Sequence, residues 1–133
     1  MLAITSKSPY AIRGLAELAR AVGQGPVPIG EIARRRDIPV QFLETLFGAL
    51  RRAGVLQSQR GAKGGYSFAR APEGVTVLEV VELLDGDLGA EAAEAGPPWA
   101  DAVEGLRKEL AGVTIADVAR REAEAAGAAM YYI

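Results

Sequence analysis

The sequence contains neither cysteine nor histidine, and this double absence limits the chemistry that the chain can carry out. Without cysteine it can form no disulfide and offers no thiolate ligand to a metal. Without histidine it also lacks the other common ligand of zinc and haem and the usual general base of nucleophilic triads. We therefore predict a protein that has no metal or other cofactor and is not an enzyme.

Long apolar runs are missing as well. No stretch approaches the roughly 20 apolar residues of a membrane span, and the first ten residues lack the apolar segment of a signal peptide. We therefore expect no membrane association and a cytoplasmic location. With 133 residues, of which 50% are hydrophobic and 24% charged, the chain can form one compact domain with an accessory helix or two.

Charge is distributed unevenly along the chain, although the net charge is only -2. Residues 1–72 hold 11 Lys and Arg against 4 Asp and Glu, a net of +7, whereas residues 73–133 hold 4 against 13, a net of -9. Attraction to phosphate depends on the local field, which decays over a Debye length of roughly 8–10 Å. The basic half can therefore bind a polyanion such as DNA, and the acidic half is expected to face away from it.

The region from residue 29 to residue 66 has the pattern of a winged helix-turn-helix. Ile29, Ile32 and Ala33 give a short helix one apolar face. The sequence Asp37-Ile38-Pro39 interrupts the pattern, and because proline suits the first helical turn, a second helix should begin near Pro39. Its buried side is expected to hold the following apolar residues: Phe42, Leu43, Leu46, Phe47 and Leu50.

The second helix of this pair, which should end at Gly54, is the predicted DNA-reading helix. Five polar residues occupy its outer side: Gln41, Glu44, Thr45, Arg51 and Arg52. Two alternating segments, residues 55–60 and 66–69, follow it, and the glycines between them allow a hairpin tip. Arg60 and Lys63 would lie at that tip, where cations can enter a narrow, negative minor groove.

Arg34 and Arg35 precede the turn of the helix pair, and Arg36 follows them on what should be the same outward side. An isolated run of arginines usually forms a solvated helix face, but the first helix of such a pair normally crosses the phosphate backbone. We therefore predict that Arg34 and Arg35 contact phosphates. Glu44 is ambiguous, since an exposed helix carboxylate and an acceptor for cytosine N4 fit its position equally well.

Capping patterns place helices on both sides of this region. Ser8 is the expected N-cap of the first helix, and Thr76 with Glu79 forms a capping box for a helix that stops at Gly86. Thr114 with Asp117 is a weaker pair that opens the last helix. Residues 87–97 are acidic and rich in alanine and glycine, which predicts a loop.

A narrow apolar stripe marks the helix that follows this loop. Its members are spaced by four, three and four residues: Trp99, Val103, Leu106 and Leu110. Such a stripe on a peripheral helix suits packing against a second copy of the chain, so these are the predicted dimerisation residues. The predicted organisation is a winged helix-turn-helix domain (1–86), a loop (87–97), and a dimerisation helix with a C-terminal helix (98–133). The fold class is mainly α with a small β-hairpin wing.

Several short motifs together resemble the Rrf2 family of bacterial winged-helix regulators. They are Tyr10-Ala11, Pro28 to Ala33, Leu43-Glu44, Leu50-Arg51, Gly54-Val55 and, most specifically, Arg60 to Tyr66. The resemblance implies a homodimer on a pseudo-palindromic operator in double-stranded DNA, with each reading helix in a major groove and each wing at the neighbouring minor groove. It also implies that Gln41, Glu44 and Arg60 contact bases or enter a groove.

One departure from the family pattern concerns the loop after the winged domain. Many members carry three cysteines between the equivalents of Leu84 and Trp99, and these bind a [2Fe-2S] cluster, whereas this chain has none. It resembles the cluster-free branch, whose effectors are small molecules or partner proteins. The cleft between the winged domain and the helix of Trp99 is where we expect such an effector.

The function predicted from these observations is a dimeric DNA-binding transcriptional regulator, most simply a repressor, without an iron-sulfur cluster. The rival interpretation is a winged-helix protein-interaction module that no longer binds DNA. The net charge of +7 in residues 1–72 argues against that alternative, because a pure protein adaptor has no need of a polyanion-binding face.

Overall fold

The computed structural model of the chain describes residues 4–131, with side chains up to residue 128. Its elements are α1 (Lys7–Arg20), α2 (Ile29–Arg36), α3 (Val40–Arg52), β1 (Leu56–Gln59), β2 (Gly65–Phe68), α4 (Val77–Asp85), α5 (Pro97–Ala111) and α6 (Ile115–Tyr131). Short 3-10 turns lie at Pro72–Gly74 and Ala92–Ala95. The predicted fold class, mainly α with a β-hairpin wing, is confirmed. Residues 1–3, at the start of the predicted winged domain, and residues 132–133, at the end of the predicted C-terminal segment, lie outside the described residues.

The turn between α2 and α3 follows from three consecutive residues. Asp37 adopts a left-handed conformation with φ 52° and ψ 49°, which aspartate tolerates better than most residues. The amide of Ile38 then donates to the carbonyl of Ala33 at 2.9 Å, which closes the end of α2. Pro39 immediately precedes α3. The predicted break at these residues therefore sets the angle between the two helices.

The main core packs α1 directly against α3. Gly14 of α1 faces α3 so closely that a Cβ at this position would lie 3.0 Å from Leu43 and 3.2 Å from Phe47. Both of those side chains are fully buried. The same core contains Ile115 of α6, so the C-terminal helix contributes to the core of the winged domain. This packing determines which side of α3 faces outward.

The wing is a two-stranded antiparallel sheet that rests on α3. Its register pairs Leu56 with Phe68 at one end and Gln59 with Gly65 at the other. Val27 adds a single bridge to β2, with its amide and carbonyl bonded to Tyr66 at 2.9 and 2.8 Å. The ring of Tyr66 packs edge-on against a core phenylalanine of α3, with 5.3 Å between ring centroids. The wing is thereby held at a defined position relative to α3.

The prediction that Ser8 caps α1 is wrong. The helix begins at Lys7, and Ser8 lies inside it with only 1% of its surface exposed. Its hydroxyl donates to Asp85 Oδ2 at 2.5 Å, and the hydroxyl of Thr5 donates to Asp85 Oδ1 at 2.6 Å. Burial alone would raise the pKa of Asp85, but these two hydrogen bonds lower it. The serine thus joins the start of α1 to the end of α4 instead of capping its own helix.

Of the two predicted capping pairs, the one at Thr114 forms completely, whereas the one at Thr76 forms only in part. The sequence had predicted that the Thr114 pair would be the weaker one. At Thr76 the hydroxyl accepts from the amide of Glu79 at 3.1 Å, but the Glu79 carboxylate is bound by Arg70 at 2.8 and 2.9 Å. At Thr114 both halves of the box form with Asp117, each at 3.0 Å. A two-pronged bond from an arginine outweighs the return bond to a backbone amide, because charge-assisted pairs are the stronger ones.

A second, smaller core lies between α4, α5 and α6. Val77, Val81 and Leu88 are buried there, and Leu106 and Leu110 of α5 pack against them. Gly89 has a φ of 73° and lies so close to α5 that a Cβ would overlap the side chain of Val103. Within the described range, no helix combines the length and the apolar character needed to cross a membrane.

Candidate nucleic-acid interface

The outward side of α3 carries the polar residues predicted to read DNA. Gln41, Glu44 and Thr45 are all exposed, opposite the buried leucine and phenylalanine side chains that hold the helix in the core. The Thr45 hydroxyl donates to the carbonyl of Gln41 at 3.1 Å, so its oxygen remains available as an acceptor. Among the described residues no cation pairs with Glu44. The three side chains therefore form one polar surface on a rigid helix.

The two arginines of α2 that were predicted to contact phosphate have different surroundings. The side chain of Arg34 is 74% exposed, and its only ion pair in the described region, to Glu31, is loose at 3.6 Å. Arg35 is held by two carboxylates, that of Glu31 at 2.7 Å and that of Glu17 at 3.2 Å. Arg34 is thus the more available cation, because Arg35 would exchange existing pairs for a phosphate.

The expectation that Arg36 points outward is wrong. Its side chain is only 14% exposed, with Nε donating to Glu17 at 2.9 Å. Its Nη1 and Nη2 atoms donate to the carboxylate of Glu122 on α6 at 2.8 and 3.0 Å. This hydrogen-bonded pair raises the pKa of Arg36 and lowers that of Glu122. One carboxylate of the acidic half of the chain therefore lies against α2, which belongs to the basic half.

Replacing Glu122 by glutamine is expected to lower the free energy of unfolding by about 1–2 kcal/mol at neutral pH, because the charge-assisted bonds to Arg36 are lost. The effect should depend on pH. Arg36 lowers the pKa of Glu122, so the stabilisation is complete above the unfolded carboxyl pKa of about 4.3 and is lost as the pH falls through the lower folded value. Urea denaturation of both proteins at neutral pH and near pH 3 measures the change.

The matched control for this substitution is Glu124→Gln on the same helix. Glu124 is mostly exposed and lies 3.7 Å from Arg120, so its loss should change stability by no more than about 0.5 kcal/mol. An equal loss in the two variants, or a loss at Glu122 that is no smaller near pH 3 than at neutral pH, would contradict the role given to the Arg36 pair.

The wing places the remaining predicted cations on one surface. Arg60 and Lys63 are exposed in the turn between β1 and β2, and no carboxylate of the described residues pairs with either. Arg51, at the end of α3, donates to the hydroxyl of Ser58 on β1 at 3.4 Å. Ser58 is one of the residues that carry the family resemblance, but the sequence did not predict its contact with Arg51, since that contact depends on how the wing folds back toward α3. A positively charged surface thus runs from the end of α3 to the wing tip.

The predicted dimerisation stripe divides into two environments. Trp99 is 64% exposed, whereas Leu106 and Leu110 are half-buried against the second core of their own chain. Trp99 and Val103 border an open, mostly apolar groove of about 680 Å³. This groove is formed by the 3-10 turn and α5, so it does not lie between the winged domain and α5, where the sequence suggested an effector site.

The segment between α4 and α5 is held by side chains. The buried Leu88 anchors it in the second core. Glu82 accepts from Arg107 Nη1 at 2.7 Å and from the amide of Leu88 at 3.3 Å, and the arginine lowers the pKa of the glutamate. Across residues 4–131 no three acidic side chains are grouped so that they could hold a metal ion. The packing of Leu88 and the pair between Glu82 and Arg107 therefore help to hold the conformation of this segment.

The chain matches known transcriptional regulators along most of its length. A profile of the Rrf2 family, described as an iron-dependent transcriptional regulator, matches residues 4–121. The HTH-type transcriptional regulator CymR of Bacillus subtilis is 30% identical over 136 residues, which cover 98% of this chain and 99% of CymR. The putative HTH-type transcriptional regulator slr0846 of Synechocystis sp. is 36% identical over 98 residues, covering 74% of this chain and 63% of the relative.

Solved structures agree with these matches. The structure of CymR from B. subtilis, described as its global cysteine regulator, has a TM-score of 0.81 at 30% identity and covers 91% of this chain and 98% of that one. The structure of T. potens IscR has a TM-score of 0.80 at 31% identity, with 93% and 90% covered. The similarity includes the helix pair, the wing and the helices that follow. The chain therefore belongs to the Rrf2 family of winged-helix transcriptional regulators.

Proposed function

We propose that this protein is a homodimeric, sequence-specific DNA-binding regulator that reads its operator with α3 and grips it with the wing. The observation that supports this most is the surface that joins the exposed face of α3 to the wing tip. Gln41, Glu44 and Thr45 supply groups that bind base edges, and Arg51, Arg60 and Lys63 supply cations for phosphate or the minor groove. Arg34 adds a phosphate contact beside them, with Arg35 as a weaker contributor.

The second part of the proposal is dimerisation through α5. Trp99 is the largest exposed apolar side chain in the described region, and it lies beside an apolar groove. Large exposed apolar surfaces mark sites of association. A two-fold dimer through Trp99 and Val103, with Leu106 and Leu110 supporting α5 from within each protomer, would present two reading helices to two half-sites. Binding of such a dimer across a promoter would repress transcription by occlusion, and a small molecule or protein that alters α5 would act as its effector.

We also infer that iron-sulfur chemistry is not used here. The family profile is described as iron-dependent, but the chain has no cysteine or histidine to bind such a cluster. The segment after α4, where the sequence pattern of the family suggests a cluster, is instead tied by the Glu82–Arg107 pair. These donors do not fit a cluster, so DNA binding should be indifferent to iron.

Selection of bound duplexes from random DNA by the purified protein tests the proposal. We expect a palindrome with half-sites about 10 or 20 base pairs apart, as required by two reading helices on one side of the duplex. Addition of an iron chelator should leave the binding isotherm unchanged. Recovery of no enriched sequence, together with no retention on heparin at low salt, would contradict DNA binding and favour the protein-interaction module. A sequence without two-fold symmetry would contradict the dimer alone.

A further inference from the structure

A glycine lies at the centre of the reading face of α3. Residues 41, 45, 48 and 52 are spaced by four, three and four, so they lie on one side of the helix. Leu43 and Phe47 point to the opposite side and are fully buried. Gly48 therefore occupies the middle of the surface that carries Gln41 and Thr45 at one end and Arg52 at the other.

Glycine is an unfavourable residue at this position. In the interior of a helix it lowers the folding equilibrium constant roughly fivefold relative to alanine. Nothing in the described part of the chain requires it, since there a Cβ at Gly48 would meet only the Arg52 guanidinium at 3.4 Å, an ordinary contact with the end of a flexible side chain. Gly14 of α1 shows the contrast, because a Cβ there would press against two core side chains of α3.

The dimensions of the DNA groove supply a reason for the missing side chain. A helix with its side chains is about 10–12 Å across, and the major groove is about 12 Å wide and about 8.5 Å deep. A helix of this size fills the groove, so the depth it reaches depends on the side chain that faces the groove floor. At Gly48 the helix backbone itself is the outermost surface, apart from the Arg52 side chain that lies over it.

We propose that Gly48 is a specificity-determining position, at which α3 approaches the base pairs on the floor of the major groove closely enough to exclude any side chain. In this arrangement the Arg52 guanidinium swings from Gly48 to a phosphate when DNA enters. The close approach brings Gln41, Glu44 and Thr45 within hydrogen-bond distance of base edges. This inference rests on the proposed DNA-binding function and adds the depth at which the helix binds.

The series Gly48→Ala and Gly48→Leu tests this proposal, because both residues favour helices and should raise the unfolding midpoint. Affinity for the selected operator, measured by fluorescence anisotropy, is expected to fall about tenfold for alanine and further for leucine, the order set by side-chain size. Binding to a duplex of unrelated sequence depends on phosphate contacts and should hardly change. The ratio of specific to non-specific affinity therefore falls along the series.

The matched control is Gly127→Ala on α6, where a Cβ would meet nothing within 4 Å among the described residues. This variant should gain stability in the same way and bind the operator as the unmodified protein does. Operator affinity that is unchanged in both Gly48 variants, while the unmodified protein binds its operator, would overturn the close approach and leave the proposed function intact. Failure of the unmodified protein to select any operator would overturn the proposed function first.

Discussion

Replacing Gly65 by alanine is expected to detach β2 from Val27 and to lower the free energy of unfolding by about 3 kcal/mol. Gly65 has a φ of 151°, in the region that favours glycine. A Cβ there would overlap the carbonyl group of Val27 and crowd the nitrogen of Pro28. Because these neighbours are backbone atoms, they can move only if the two hydrogen bonds between Val27 and Tyr66 break.

Urea unfolding measures this change, and Gly74→Ala is its matched control. A Cβ at Gly74 would meet nothing within 4 Å, so that variant should keep its stability within about 0.5 kcal/mol. The wing carries Arg60 and Lys63, and a displaced β2 moves both cations, so Gly65→Ala should also weaken DNA binding under conditions where the protein is still folded. A Gly65→Ala variant as stable as the Gly74 control would contradict the packing of the wing on Val27.

Removing both wing cations together, with Arg60→Ala and Lys63→Ala, is expected to weaken operator binding roughly 50- to 100-fold at moderate salt. Each cation that neutralises a phosphate releases about one counterion from DNA on binding. The slope of log K against log salt concentration should therefore become shallower by about 2 in the double variant. Anisotropy titrations at several salt concentrations give both quantities.

A control with the same change in net charge separates position from charge. Lys108 and Arg121 are exposed cations on α5 and α6, outside the reading surface, so Lys108→Ala with Arg121→Ala removes the same two charges elsewhere. We expect little change in its salt slope, because exposed charges farther than a Debye length from the DNA are screened. Equal slopes in the two double variants would show that only net charge matters and would contradict the assignment to the wing.

The elements of the winged domain follow from neighbouring residues, which is why the sequence predicts them well. Apolar spacing, the Asp37-Ile38-Pro39 break and the glycines of the wing act over a few positions, and each element appears within about two residues of its predicted place. Even the full capping box at Thr114 involves residues only three apart.

Contacts between distant residues account for the predictions that were wrong. Ser8 looks like an N-cap from its neighbours alone, but the carboxylate it binds belongs to Asp85, 77 positions later. Arg36 continues an outward run of arginines in the sequence, yet its carboxylate partner, Glu122, comes 86 positions later. No local periodicity carries such information, because both pairs form only when α4 and α6 pack against α1.

For this protein the sequence alone determined the local elements: a helix pair followed by a wing that carries basic residues. It also determined that the chain has no cysteine or histidine to bind a cluster. These properties depend on composition and on spacing within one element. Tertiary structure decided which cations remain available to DNA, since Arg34 stays exposed while Arg35 is bound by Glu17 of α1 and Arg36 by Glu122 of α6. It also showed that Gly48 has no partner requiring it among the described residues. Both outcomes depend on distances between residues far apart in the chain, and only the folded arrangement sets those distances.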